Sequence, residues 1–166
     1  MKWQIPFIIS LLFFLVSCDD DPELPDNTTT GENTFGYVFN GEIIEIKNTH
    51  RQVAIYQGGF LQFGADHRTK DDLRINLGFL MVDPIEVGVR YSLTPVSLAQ
   101  QGDLIIFNSE FSCDYEYLNT TGGYIELTNF DKINYTVSGK FEYSASLDGC
   151  DDIVITDGRF DLDYIP

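Results

Sequence analysis

The chain is poor in positive charge. Ten Lys and Arg stand against 26 Asp and Glu among 166 residues, a net charge of −16. A field of that sign repels phosphate backbones, so nucleic acid is excluded as a partner. Histidine is scarce too. His50 and His67 both fall in stretches that read as loops, and neither sits in a GxSxG, HExxH or catalytic-cysteine context. Three cysteines without a CxxC or a Cys/His cluster leave no zinc-type spacing, and no metal site is expected. Helical periodicity is missing beyond the first residues, so helix should be minor. Long apolar runs are missing as well. Ile5 to Val16 is about a dozen residues, interrupted by Pro6 and Ser10, against the roughly twenty a membrane-spanning helix needs.

What that run does have is the length of a signal-peptide core behind Lys2. It ends in Leu15-Val16-Ser17-Cys18, which resembles a bacterial lipobox. The resemblance implies that the Cys18 thiol takes a diacylglycerol and becomes the mature N-terminus. With an amide-linked acyl chain such as palmitate, it would anchor the protein stably in a membrane. Asp19, Asp20 and Asp21 follow and resemble the export signal that sends lipoproteins of Bacteroidota to the outer leaflet of the outer membrane. The expected organisation is a signal peptide over 1–17, an acylated cysteine and flexible tether over 18–33, and one all-β domain over 34–166. Loss of 1–17 removes Lys2 alone among the charged residues. The remaining 149 residues then carry 9 bases against 26 acids, a net of −17.

What is plentiful is aromatic side chains, 14% of the chain with 9 Tyr and 13 Phe, which suits a β-rich core. The clearest pattern runs from Ile133 to Leu147, INYTVSGKFEYSASL. Odd positions are apolar or glycine and even positions are polar, so one face is dry and the other wet. This predicts a long antiparallel strand, bent at Gly139, entered through a two-residue turn at Asp131-Lys132. Asn40-Gly41 predicts a tight hairpin, and Gly58-Gly59 separates two further strands. Pro84 and Pro95 exclude a long central strand between Met81 and Gly102, where EVGVRYSL reads as one strand and SLAQQ as a helical turn. DLIIFNSEFSCDYEY resumes alternation, with Phe107, Phe111, Cys113, Tyr115 and Tyr117 on one parity. The last segment, IVITDGRFDLDYI, changes parity at Asp157-Gly158, which predicts a β-bulge with a left-handed glycine.

Nine or ten strands are expected. The length of the 133–147 strand and its bend favour an antiparallel barrel-like or half-barrel (calycin-like) sheet, with a two-sheet sandwich as the alternative. With Cys18 lipidated, Cys113 and Cys150 remain in an oxidising compartment and are expected to form a disulfide. Cys150 follows the long strand, so Cys113 must lie near the same end.

Over 122–164, and more weakly over 33–46, the sequence is similar to a family of uncharacterised Bacteroidota lipoproteins. The likeness rests on the lipobox start, an Asn-Thr-Phe-Gly opening at Asn33 to Gly36, and the Ile-Thr-Asp-Gly-Arg-Phe-Asp ending at 155–161. It implies an all-β domain outside the cytoplasm and no particular activity.

The chemistry-bearing residues admit more than one use. Carboxylates cluster at Asp148/Asp151/Asp152 and at Asp157/Asp161/Asp163. A pair of them would suit a glycan hydrolase, and the Asp148–Asp152 loop offers the oxygens calcium prefers, without EF-hand spacing. Asp161 and Asp163 share one strand face, where their repulsion needs a cation or distance. Tyr135 and Tyr143 serve either an aromatic core or the lining of a ligand cavity, and Arg159 joins them if it points inward. No cofactor is expected. The reading is a non-catalytic binding or structural lipoprotein held to the membrane through Cys18. Its partners would be an envelope protein complex or a glycan.

Overall fold

The computed structural model describes residues 23–69 and 72–166. The signal peptide, Cys18 and Asp19 to Asp21 lie outside the described residues. Eleven strands form two antiparallel sheets. They are β1 (Thr34–Phe39), β2 (Glu42–Glu45), β3 (Gln52–Gln57), β4 (Phe60–Arg68), β5 (Arg74–Val82), β6 (Arg90–Ser92), β7 (Gln100–Phe107), β8 (Ser112–Tyr115), β9 (Thr120–Asp131), β10 (Thr136–Ala145) and β11 (Ile153–Asp163). One sheet has six strands in the order β2-β1-β11-β10-β9-β6, the other five in the order β3-β4-β5-β7-β8. The only helix among the described residues is two single 3-10 turns, Thr49–Arg51 and Tyr117–Asn119.

The architecture is therefore the two-sheet sandwich, not the barrel-like sheet. A barrel-like sheet requires one long strand running from 133 to 147. The strand is shorter because the Asp131 carboxylate accepts hydrogen bonds from the backbone N–H of Ile133 and Asn134, which wraps 132–135 into a turn. Ile133 is 86% exposed there, and Tyr135 takes a left-handed φ of 58°. The remaining strand fits within a flat-sided sheet. One seam is closed all the same. Beyond β11 the chain crosses to the edge of the other sheet, where Ile165 exchanges backbone hydrogen bonds with Ala54 and Tyr56 of β3.

From Thr136 on, the odd–even rule holds. Val137, Phe141, Tyr143 and Ala145 face the core, and Lys140 and Glu142 face outward. The two sheets meet through their aromatics. Phe63 stacks on Phe160 at 4.3 Å between ring centroids, and Phe79 lies 4.8 Å from Phe141. The hairpin turns follow the sequence. Asn40, Gly41, Gly58 and Gly59 all have positive φ, the conformation that tight two-residue turns require. The bulge on β11 is present, with Phe141 opposite Gly158 and Tyr143 opposite Ile155. The left-handed residue, however, is Asp157 at φ 52°. Gly158 has another duty: a Cβ there would sit 2.4 Å from the Phe141 ring.

Three further readings are corrected. SLAQQ forms no helical turn; Ser97 Oγ accepts from the Gln100 N–H and the chain passes straight into β7. DLIIFNSEFSCDYEY is two strands, because Asn108 Oδ1 accepts from the N–H groups of Glu110 and Phe111 and folds the chain back into a β7–β8 hairpin. EVGVRYSL supplies only the three residues of β6.

The disulfide is formed. Cys113 on β8, an edge strand of the five-stranded sheet, bonds Cys150 in the β10–β11 loop of the six-stranded sheet, with Cα atoms 6.2 Å apart. The hairpin at Asn108 is what brings Cys113 to that end. Beside the bond, the Tyr115 hydroxyl donates to the Asp151 carbonyl at 2.6 Å.

The segment expected to be a flexible tether packs on the domain from Pro25 onward. It lies along the outer face of the six-stranded sheet. Arg159 Nη1 donates to the Pro25 carbonyl at 3.1 Å, and Asn129 Nδ2 to that of Thr29 at 3.4 Å. Successive backbone N–H groups of Thr30, Gly31 and Glu32 close on the Asp161 carboxylate at 3.0, 2.9 and 3.2 Å. Gly31, at φ 79°, makes that curl possible. A Cβ there would meet the Asp163 carboxylate and the Thr136 methyl.

Candidate functional site

Alternation on the five-stranded sheet buries Leu61, Phe63, Leu77, Phe79 and Leu104 and turns Gln62, Asn76 and Asp103 outward. Two outward positions carry no side chain. Gly64 and Gly78 are direct cross-strand partners, flanked by Val53 on β3 and Asp103 on β7 in one row across the sheet. Their missing side chains open a trough of about 700 Å³ on the outer face, within the usual range of ligand sites. Gln62, Asn76 and Gln101 present amides to it. Asp114, Glu116 and Tyr117 form one wall, and His50, Arg51 and Asp66 the other. Arg51 and Asp66 are paired at 3.2 Å.

The two glycines differ in what they avoid. A Cβ on Gly64 would lie 2.3 Å from the Leu77 carbonyl oxygen, which is backbone and cannot swing away. A Cβ on Gly78 would meet only the Asp103 carboxylate at 2.8 Å. Gly64→Ala should therefore cost about 2 kcal/mol, and Gly78→Ala less than about 1 kcal/mol, by urea unfolding. Equal costs would mean that the Leu77 carbonyl beside Gly64 gives way as easily as the Asp103 side chain does beside Gly78.

Electrostatically the trough is acidic. Burial pushes the Asp103 carboxyl above its usual value, and the Asp114 charge raises it further. His67 sits on β4, not in a loop. Burial pulls its imidazole below the usual value, with Arg51 acting in the same direction.

The residues singled out from sequence do not come together. Tyr143 is a core residue, its ring against Gly102 and Phe79 and its hydroxyl pushed up to about 12 by burial. Tyr135 sits in the β9–β10 turn with its ring edge-on to Tyr164. Arg159 lies on the outer face of the other sheet and holds Pro25. Among the described residues no three of His, Cys, Asp and Glu converge as metal ligands would, the Asp148–Asp152 loop included. No helix of the described residues is long and apolar enough to cross a membrane. Asp161 and Asp163, whose shared face predicts repulsion, each find protein donors. Backbone N–H groups and Ser138 serve Asp161, and Asn33 Nδ2 serves Asp163.

The trough itself was missed, though its signal is present. In FLQFGAD and LRINLGF a glycine stands on the outward parity of adjacent strands. Only the register Gly64↔Gly78 places the two gaps side by side.

No family of known proteins, no curated protein and no solved structure matches this chain.

Proposed function

We propose that this protein is a lipid-anchored, non-catalytic binding module of the bacterial cell envelope, displayed on the outer membrane, and that it holds a neutral, hydroxyl-rich ligand such as a glycan segment. The observation that carries the ligand reading is the trough floored by Gly64 and Gly78. Amide side chains donate and accept at once, which suits hydroxyl groups. Asp66, Asp103, Asp114 and Glu116 turn away anionic ligands, and Tyr117 offers a ring face at the wall. The anchor reading rests on Leu15 to Cys18, with Asp19 to Asp21 directing the protein outward.

A binding screen of the purified protein against neutral oligosaccharides tests the ligand reading. Gln101→Ala and Asn76→Ala should each weaken a hit roughly tenfold, the value of one to two hydrogen bonds, with unchanged thermal stability. No binding at millimolar sugar, or binding indifferent to both variants, would sink it.

One observation favours a second reading. Asp103, with its raised carboxyl beside Asp114, has the form of a general acid next to a second carboxylate, as in a glycan hydrolase. Release of reducing ends by the wild type and not by Asp103→Asn would replace binding with hydrolysis.

A further inference from the structure

We infer that the outer face of the six-stranded sheet is the side turned to the membrane, so that the trough on the opposite sheet points away from the lipid surface. The inference rests on the anchor reading above and adds the geometry of display.

A long free tether would let the domain tumble above the bilayer. Here the chain is held from Pro25 onward. Pro25 lies against Gly36, where a Cβ would come within 2.5 Å of its ring, and its carbonyl is held by Arg159. Glu32 and its two predecessors are fixed on Asp161, and Asn33 on Asp163. Gly36, Arg159 and Asp161 all belong to β1 and β11. The described chain thus enters the domain over that pair of strands, next to the β2 edge.

Cys18 precedes Pro25 by seven residues. Fully extended, that chain spans at most about 25 Å. Starting from Pro25, held on the outer face of the six-stranded sheet, it reaches a bilayer lying against that face. To let the trough face the bilayer, it would have to round the β2 strand, cross the roughly 10 Å between sheets plus the outward side chains, and then pass β3 and β4. That path exceeds its length. A short anchor on one face and a binding trough on the other together present the site to the exterior without a stalk.

The test uses the full-length lipidated protein in phosphatidylcholine vesicles carrying a headgroup-linked energy acceptor. Single fluorophores are placed through Glu142→Cys on the outer face of the six-stranded sheet and Gln62→Cys at the trough. The Glu142 position should be quenched at least threefold more than the Gln62 position, and Asp161→Asn, which loosens the held segment, should shrink that contrast. Equal or reversed quenching in vesicle-bound protein overturns the orientation. A Cys18→Ala protein that still binds vesicles as the wild type does overturns the anchor reading on which it rests.

Discussion

Replacing Cys113 and Cys150 with serine should cost about 4 kcal/mol and lower Tm by roughly 10 °C, the largest effect expected of any change outside the core. The bond closes a loop of 37 residues between an edge strand of one sheet and a loop of the other. In the chain-entropy account, a closure of that length removes about this much freedom from the unfolded state. Among the described residues, the other links at that end are single hydrogen bonds, such as the Tyr143 hydroxyl donating to the Tyr115 carbonyl at 3.5 Å. The Tyr115 hydroxyl on Asp151 is a single hydrogen bond, and Tyr115→Phe should cost only about 1 kcal/mol. Thermal unfolding of the double serine variant beside the oxidised wild type decides the matter. An unchanged Tm would mean that packing alone holds β8 and the β10–β11 loop together.

Asp161→Asn should cost about 3 kcal/mol and release residues 25–33 from the sheet. Asp161 is fully buried, and its two oxygens accept four hydrogen bonds: Ser138 Oγ at 2.6 Å and the three backbone N–H groups of Thr30, Gly31 and Glu32. An amide keeps one oxygen and turns an NH2 toward donors, leaving part-buried N–H groups without partners at about 1 kcal/mol each, the low end for unmet donors. Burial pushes this carboxyl up. The hydroxyl and backbone donors, Ser138 foremost, outweigh it and hold the group below its usual range. A carboxyl lowered in the folded state contributes stability that is present above its unfolded value, near 3.9, and lost as pH falls through the folded value. The wild type should therefore lose stability on acidification below about pH 4, and the Asn variant should lack that part of the slope. Amide exchange at Thr30 to Glu32 should quicken in the variant while core amides stay protected. If those amides exchange at the wild-type rate, the carboxylate is not what holds the segment down.

Both cases show how reading the chain in order succeeds and fails. The pairing of Cys113 with Cys150 followed from counting, because the lipobox reading assigns the third cysteine to a lipid. The role of Asp161 was half legible. Its shared face with Asp163 signalled a charge problem, but the solution comes from backbone N–H groups about 130 residues away. A polar stretch such as TTTGEN buries no apolar side chains, so it reads as a free tether. Its energy of attachment lies in hydrogen bonds that composition does not record. In sequence Tyr143 and Tyr135 read as neighbours on one face because they share parity. Parity says which face a residue takes on a strand, and Tyr135 is not on one.

The sequence alone determined that the domain is all-β, where the Asn40-Gly41 and Gly58-Gly59 turns lie and which residues of β10 and β11 face inward, because side-chain alternation and left-handed turn residues are local properties. The tertiary structure alone decided sandwich over barrel, the landing place of the N-terminal segment and the existence of the trough. Each of these depends on which strand lies beside which, and in what register: contacts between residues far apart in the chain, on which local pattern is silent.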